Sequence, residues 1–201
     1  MKVCALQHRV WYPKMAVSPT MSLGRDAMDL PRQLRERSHI FVMPTLDLFA
    51  QPTNFIKQVF YVMNREGRHE FQVSTRHPER ALEMGDLLWS GNVWLGAVID
   101  DVESGTERLD TLRKIPAQVR FAHVRVATTV PQMHLREIAF VIVEAAVETA
   151  AIPGGPELEA ACKTANIRLF EGARVETAEL RTPAPATHAL ATRASRLSRG
   201  R

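Results

Sequence analysis

From residue 39 onwards, the apolar residues of the chain fall into short runs separated by polar stretches with a helical pattern. The runs are mostly apolar, which is typical of strands buried on both faces of a sheet. The predicted strands begin near residues 39, 69, 92, 118, 138 and 167, at intervals of about 20 to 30 residues.

Amphipathic helices are predicted between these runs. Thr53 precedes a stripe of five apolar residues at helical spacing, and Gly67 follows it. Pro78 suits the first turn of a second helix, which is predicted to continue through ERALEMGDLLW to residue 89. Pro116 marks the end of a third helix. The stripe of the first helix consists of Phe55, Ile56, Val59, Phe60 and Met63.

Alternation of buried strands with helices indicates a parallel sheet with right-handed crossovers. A complete eight-stranded barrel needs about 250 residues, whereas this chain has 201. We therefore predict an α/β fold, an incomplete TIM-type (β/α) barrel with about six parallel strands. An open doubly wound parallel sheet is the alternative.

The chain divides into three parts by pattern and charge. Residues 1–38 lack a helical or alternating period and are predicted to be an irregular N-terminal lead-in to the α/β domain, which spans 39–179. Residues 180–201 are rich in Ala, Pro, Thr, Ser and Arg and are predicted to be a disordered tail. The net charge of +4 comes from this tail, because it contains five arginines and no acidic residue, whereas residues 1–179 are nearly neutral.

Composition points to a cytoplasmic protein without a membrane partner. Hydrophobic residues make up 45% of the chain and charged residues 24%, as in ordinary globular domains. The most apolar stretch, 138–147, is too short to span a bilayer. Cys4 and Cys162 lie too far apart in sequence for a metal-binding motif, and two cysteines do not make a disulfide framework.

Candidate functional residues follow the predicted strands. In parallel α/β folds, ligands bind at the carboxyl ends of the strands, where the loops meet on one side. Carboxylates, arginines and a hydroxyl at these positions could bind a small polar ligand or perform acid–base chemistry. The candidate ligand-binding residues are Asp47, Thr75, Arg76, Asp100, Asp101, Arg125 and Glu144.

A structural interpretation of the same residues is also open. Asp100 and Asp101 could cap the helix that follows them, because a helix N-terminus favours an anion. His123 lies inside a predicted strand, where a structural role is the simpler explanation. The chain lacks the dinucleotide-binding, P-loop, zinc-protease and nucleophile-elbow motifs, and no catalytic residue is predicted.

Five segments, in order, resemble an uncharacterised phage and bacterial family with a three-cysteine motif. That family is similar to radical S-adenosylmethionine proteins, with a partial TIM-type barrel and an expected four-iron cluster. The resemblance extends from about Leu23 to about Phe170. It is carried by FVMPTLDLFA, FQVSTRHPER, NVWLGAVIDD, PAQVRF and FVIV, which begin at residues 41, 71, 92, 116 and 140.

The chain departs from this family at the residues that the cofactors would need. The resemblance implies three cysteines near the N-terminus, of which only Cys4 is present. Arg125 and Val126 replace a glutamate–proline pair, and residues 144–148 replace a glycine-rich loop that a ligand would approach closely. We therefore expect neither the cluster nor S-adenosylmethionine to be a cofactor of this chain.

Three functional hypotheses follow. The first is a cluster-less, non-catalytic binding or scaffold protein related to the phage-associated family. The second is an enzyme of unknown reaction that binds a small polar or nucleotide-like ligand at the strand ends. The third is nucleic-acid binding by the arginine-rich tail, through simple electrostatics. Its candidate residues are Arg193, Arg196, Arg199 and Arg201.

Overall fold

The structure is a computed structural model that describes residues 7–13, 28–125, 134–144 and 155–171. The described part contains seven strands, five α-helices and one 3₁₀ helix at Leu48–Ala50. The strands are β1 Gln7–Trp11, β2 Ser38–Val42, β3 Glu70–Thr75, β4 Val93–Ile99, β5 Val119–Val124, β6 Phe140–Val143 and β7 Arg168–Glu171. The helices are α1 Leu30–Gln33, α2 Thr53–Arg65, α3 Pro78–Glu83, α4 Val102–Lys114 and α5 Gly155–Thr164.

The seven strands form one sheet in which every pairing is parallel and the strand order is the order of the sequence. The predicted α/β fold is therefore confirmed. Consecutive order also favours the incomplete barrel, because a doubly wound sheet reverses its strand order at a switch point. Right-handed crossovers between neighbouring strands then place the helices on one side of the sheet.

The first strand differs from the prediction. β1 lies inside the segment 1–38, which the sequence predicts to be irregular, and it adds a seventh strand to the predicted six. It pairs with β2 from Gln7↔Ser38 to Trp11↔Val42. Only five residues long, β1 has no repeating apolar pattern of its own, so pairing with β2 rather than local sequence defines it.

The helix side of the sheet holds the hydrophobic core. Alternate strand residues such as Ile40, Phe71, Leu95 and Val124 are fully buried there. All five stripe residues of α2 are buried in the same core, as predicted. The second predicted helix is shorter than expected: α3 ends at Glu83, just before Gly85.

The opposite side of the sheet, which we call the inner face, carries the residues that alternate with the core positions. Aromatic rings make contact across it from β2 to β6. His39 stacks on Phe41 at 5.1 Å and meets Trp94 edge-on at 4.9 Å. Trp94 in turn lies 5.8 Å from Phe140, which stacks on Phe121 at 5.0 Å. These distances join ring centroids, and they show that the side chains share one surface.

Gly96 makes room on this face for the ring of Phe121. A Cβ atom on Gly96 would lie 2.2 Å from the Phe121 ring, too close for any real contact. The inner face is therefore packed in its middle and partly exposed around it, at His39, Phe41, Trp94 and Phe140. None of the helices in the described ranges is long and apolar enough to cross a membrane.

Candidate functional site

Asp47 follows β2 and holds the loop at the carboxyl end of that strand. Its carboxylate accepts hydrogen bonds from the Phe49 amide at 2.9 Å, the Thr75 hydroxyl at 2.8 Å and the Arg76 amide at 2.7 Å. The first of these bonds caps the 3₁₀ helix, and the other two join the loop to the end of β3. Three donors from two segments make Asp47 a structural link between neighbouring strand ends.

Thr75 belongs to this link. Its side chain is fully buried on the helix side, and its hydroxyl accepts a hydrogen bond from the His77 amide at 2.8 Å while it donates to Asp47. Both hydrogen-bonding roles of the hydroxyl are thus used inside the protein. The structure places Thr75 under the loop rather than on a surface that a ligand could reach.

Arg76 and Asp100 form a two-bond ion pair on the inner face. Arg76 donates from Nε to Asp100 Oδ2 at 2.8 Å and from Nη2 to Oδ1 at 3.0 Å. The Asp100 hydrogen bonds are the main reason why the pKa of Arg76 is raised above its ordinary value. Arg108 of α4 lies 3.5 Å from the same carboxylate while donating to the Val98 carbonyl. Asp100 is therefore held between two guanidinium groups.

Asp101 lies directly before α4. Its carbonyl accepts a hydrogen bond from the Gly105 amide at 3.3 Å, the first turn of α4, and the residue is exposed. The acidic pair divides accordingly: Asp100 belongs to the inner face, and Asp101 begins a helix. Capping of α4 by the side chains of the acidic pair stays a prediction.

Glu144, directly after β6, contacts two basic side chains. One is His123 of β5, and the other is Arg125, the residue that follows β5. Its Oε2 lies 2.6 Å from Arg125 Nε and 3.3 Å from His123 Nε2. The hydrogen bond to His123 is the largest cause of a lowered pKa for Glu144, and Arg125 lowers it further. His123 Nδ1 also lies 3.2 Å from the Ser74 hydroxyl on β3.

The two ion-pair groups occupy one edge of the sheet. Backbone bonds from the Arg125 amide to Ile99 O and from the Glu144 amide to Val124 O, both 2.8 Å, continue the ladder and set Asp100, Arg125 and Glu144 in a row. The charge of Glu144 also raises the pKa of Arg76. We call these four residues, Arg76, Asp100, Arg125 and Glu144, the rim. The rim thus unites four of the predicted site residues on the inner face.

Three residues of this edge were not among the predicted site residues: Ser74, Arg108 and His123. Two of them could have been found from the two-residue alternation of side chains along a strand. Ser74 precedes Arg76 by two positions and His123 precedes Arg125 by two, so each shares a face with a rim residue. Arg108 was out of reach of such reasoning, because it comes from a helix. The arginines predicted for nucleic-acid binding, Arg193, Arg196, Arg199 and Arg201, lie outside the described residues.

The cysteines do not fit the cluster of the resembling family. That cluster needs three thiolates close together, and the chain has two cysteines. Cys162 is buried in the helix-side core on α5, where burial raises the pKa of its thiol. Cys4 lies outside the described residues. Among the described residues no three His, Cys, Asp or Glu side chains are grouped to hold a metal ion.

A groove of about 390 Å³ lies on the outer side of the molecule, away from the rim. It runs between the start of α1 and the exposed side of α2, and its lining includes Met28, Tyr61 and Val62 together with Asp29 and Lys57. No rim residue borders it. The charged groups at the strand ends and this groove are therefore separate features.

Comparison with known proteins identifies a family without assigning an activity. No curated protein and no solved structure matches the chain. One family model matches residues 3–170, which include all seven strands but the last residue of β7 and every rim residue. The chain belongs to that family, described as a protein of unknown function (DUF5131).

Proposed function

We propose that this chain is a non-catalytic member of its family that binds a small polar ligand at the rim and carries no iron–sulfur cluster. The observation that supports this function is the pairing of carboxylates with guanidinium groups at the strand ends. Asp100 lies between Arg76 and Arg108, and Glu144 lies between Arg125 and His123. Such preformed, alternating charges suit the recognition of a ligand with polar groups of both kinds.

The side chains of the rim are exposed enough for a ligand group to replace one partner of an ion pair. The side chains of Arg76 and Asp100 are 40% and 34% exposed, and that of Glu144 is 50% exposed. Ion pairs at this exposure contribute about 1 kcal/mol or less. A ligand carboxylate or ammonium group can therefore displace one partner at little cost and take over its hydrogen bonds.

The same contacts argue against acid–base catalysis by the predicted carboxylates. A general acid or base needs a pKa near the working pH, whereas the pKa of Glu144 is lowered by His123 and Arg125. Glu144 therefore stays ionised at neutral pH. Asp47 is committed to three hydrogen bonds within the protein.

The resemblance to phage-associated, radical S-adenosylmethionine-like proteins belongs to this proposal. It is supported by the consecutive parallel sheet, which suits a partial barrel, and by the retained segments around Asp47 and Asp100. The two cysteines do not supply the three thiolates that a cluster needs. In this proposal the scaffold and its rim are kept, while cluster chemistry is lost.

A thermal-shift screen with nucleotides, S-adenosylmethionine, amino acids and divalent metal ions tests ligand binding at the rim. We expect at least one polar compound to raise the melting temperature, and Asp100→Asn to remove the shift. Asp110→Asn is the matched control, since Asp110 forms an exposed ion pair with Arg113 on α4, outside the rim. A shift that survives in Asp100→Asn would place the ligand elsewhere.

Anaerobic reconstitution with iron and sulfide tests the second part of the proposal. We expect the purified chain to retain no stoichiometric iron and to show no charge-transfer absorption of a cluster. Four iron atoms bound per chain would overturn the cluster-less assignment, whatever the thermal-shift screen finds.

An enzymatic function is a second candidate, because Ser74, His123 and Glu144 form a chain of contacts. If Nε2 of His123 carries the proton and donates to Glu144, Nδ1 can accept the hydroxyl proton of Ser74, at distances of 3.3 and 3.2 Å. This is the order of groups in a nucleophile, base and orienting carboxylate. Ser74 of β3 and His123 of β5 contact each other across β4, which lies between their strands.

A fluorophosphonate probe separates this candidate from the binding proposal. An activated serine would react covalently with the probe at Ser74, and Ser74→Ala or His123→Gln would abolish the reaction. Ser90→Ala is the matched control, because Ser90 lies outside the inner-face cluster and bonds to Asn92 instead. No labelling of Ser74 in the folded protein would exclude the enzymatic candidate.

A further inference from the structure

Gln72 lies on the inner face, beside the packed centre at Gly96 and Phe121. It is the third residue of β3, between Phe71 and Val73, which both point into the helix-side core. Since side chains alternate along a strand, Gln72 points to the opposite side. The sheet register sets Gln72 beside Phe41 of β2 and Trp94 of β4.

The side-chain amide of Gln72 makes no hydrogen bond to the described part of the chain and reaches the surface of the inner face. The residue is only 5% exposed. Its amide atoms are not among the fully buried polar atoms that lack a partner, so the small exposed part of the residue includes the amide. An amide has a carbonyl that accepts and an NH₂ group that donates hydrogen bonds. Gln72 therefore offers one acceptor and one donor to a ligand on the inner face.

The surroundings of Gln72 are flat and aromatic. His39 and Phe41 stack on one side of it, and Trp94 lies on the other, in edge contact with both His39 and Phe140. All four rings are partly exposed. Flat apolar side chains around one accessible amide favour a planar ligand that carries its own hydrogen-bonding edge.

We propose that the inner face binds a nucleobase-type heterocycle whose edge pairs with the Gln72 amide and whose ring packs against Trp94 and Phe41. A glutamine amide can pair with two adjacent atoms of a base, accepting from one and donating to the other. Aromatic side chains stack on any base, because every base has a π-face. This inference rests on ligand binding at the rim and names the chemical class of that ligand.

The polar part of the ligand would lie toward the carboxyl ends of the strands, where the inner face carries polar side chains. Ser74 follows Gln72 by two positions on the same face, and Arg76 of the rim follows by two more. A heterocycle at Gln72 therefore directs its substituent along β3 toward Ser74, His123 and the rim. A nucleoside, with a base and a hydroxylated sugar, fits both parts.

Titration with adenosine, guanosine, cytidine and uridine tests the inference, with ribose as the sugar-only control. Trp94 lies in the site, so its fluorescence reports binding, and Trp94→Phe identifies its share of the signal. We expect at least one nucleoside to change the fluorescence and raise the melting temperature, while ribose does neither. If adenosine binds, N6,N6-dimethyladenosine, which lacks the amino hydrogens, is expected to bind at least about tenfold more weakly.

Gln72→Met decides the role of the amide, since methionine keeps the length and volume while removing both polar groups. We expect this variant to lose about tenfold or more in nucleoside affinity, yet to melt at about the same temperature as the wild type without ligand, because the Gln72 amide makes no hydrogen bond within the described protein. Gln58→Met on the exposed side of α2 is the matched control and is expected to change neither quantity.

Three outcomes would overturn the inference: no response to any of the four nucleosides, equal nucleoside affinity in Gln72→Met, or a lower melting temperature of that variant without ligand. The last result would show that the amide has a structural partner. If ligand binding depends on Asp100 but not on Gln72, the proposed function at the rim is supported. Only the inference that Gln72 recognises a nucleobase is then refuted.

Discussion

Two buried polar side chains, only three residues apart, show how the two sides of the sheet differ. His69, just before β3, is fully buried toward the helix side, where its Nδ1 accepts from the Ser38 amide at 3.2 Å and its Nε2 lies 2.9 Å from the Pro31 carbonyl. Gln72, on the inner face, has no such partners within the described residues. The buried imidazole of His69 on the helix side has its partners within the protein, and the amide of Gln72 on the inner face stays available for a ligand.

The apolar residues differ in the same way. Phe71 of the helix-side core is fully buried against Trp11, with ring centroids 5.9 Å apart. Phe41, one strand away on the inner face, is partly exposed. The helix side is therefore where folding free energy is concentrated, and the inner face is where a ligand can be accommodated.

The largest test of this contrast is to truncate one phenylalanine on each side. Phe71→Ala is expected to lower the free energy of unfolding by about 3–5 kcal/mol, because it leaves a cavity in a closed core. Phe41→Ala is expected to cost about 1 kcal/mol, because its ring is already in contact with water. Urea denaturation measures both, and equal losses would mean that the two sides are equally packed.

Gly96→Ala probes the packed centre of the inner face. The new methyl group would meet the ring of Phe121, so we expect a loss of about 1–3 kcal/mol as the ring is displaced. Gly67→Ala is the control, because a Cβ atom at Gly67 meets nothing within 4 Å. A Gly96→Ala variant as stable as the wild type would show that Phe121 moves freely.

The burial of His69 on the helix side predicts that the free energy of unfolding depends on pH. Its pKa is lowered from 6.5, mainly by burial and further by the charge of Arg68. The unfolded chain therefore takes up a proton more readily than the folded one, and stability is lost as the pH falls from about 6.5 through the folded-state pKa. Unfolding at several pH values is expected to show this decline, to a smaller degree in His69→Gln.

His77→Gln is the matched control for that experiment, because His77 is exposed before α3. It is expected to keep the decline of the wild type between pH 6.5 and lower values. A decline of the same size in His69→Gln would assign the pH dependence to other groups.

The ion pairs of the rim are expected to have a smaller effect. A double-mutant cycle of Arg76→Met and Asp100→Asn should give a coupling of about 1 kcal/mol or less, reduced by salt, since both side chains remain partly exposed. The lowered pKa of Glu144 adds stability above pH 4.5 that is lost as the pH falls through the folded-state pKa. A coupling of several kcal/mol would mean that the rim is a structural element.

The smallest expected effect on the folded domain concerns the predicted tail. Deletion of residues 181–201 removes five arginines and no acid. If the tail binds nucleic acid, the full chain should bind duplex DNA more tightly than the truncated chain at low salt, and the difference should vanish as salt is raised. Filter binding measures this, and equal affinities would discard the tail hypothesis.

The sequence predicted the strands well because each is a separate apolar run. The predicted starts at 39, 69, 92, 118, 138 and 167 lie within two residues of β2 to β7. β1 was missed, since its burial depends on pairing with β2. The extent of α3 was also wrong, because its apolar pattern continues beyond the point where the helix ends.

The position of the candidate residues at strand ends could be predicted, but their contacts could not. Asp47, Arg76, Asp100 and Glu144 all lie just after strands, at one edge of the sheet. Which of them faces the inner side depended on contacts between distant segments, such as the bond from Thr75 to Asp47. Neither the contacts of His123 with Ser74 and Glu144 nor the unpartnered amide of Gln72 could be read from the pattern, because each involves neighbours on other strands.

The sequence by itself determined the alternation of strand and helix, since that depends on local periodicity and on proline and glycine at the boundaries. Only the tertiary structure decided that the seven described strands pair in consecutive order and that Asp100 pairs with Arg76 on the inner face. The physical reason is that burial and hydrogen-bond partners are properties of neighbours in space. A sequence specifies which groups need partners, and the packed sheet determines which of them remain available for a ligand.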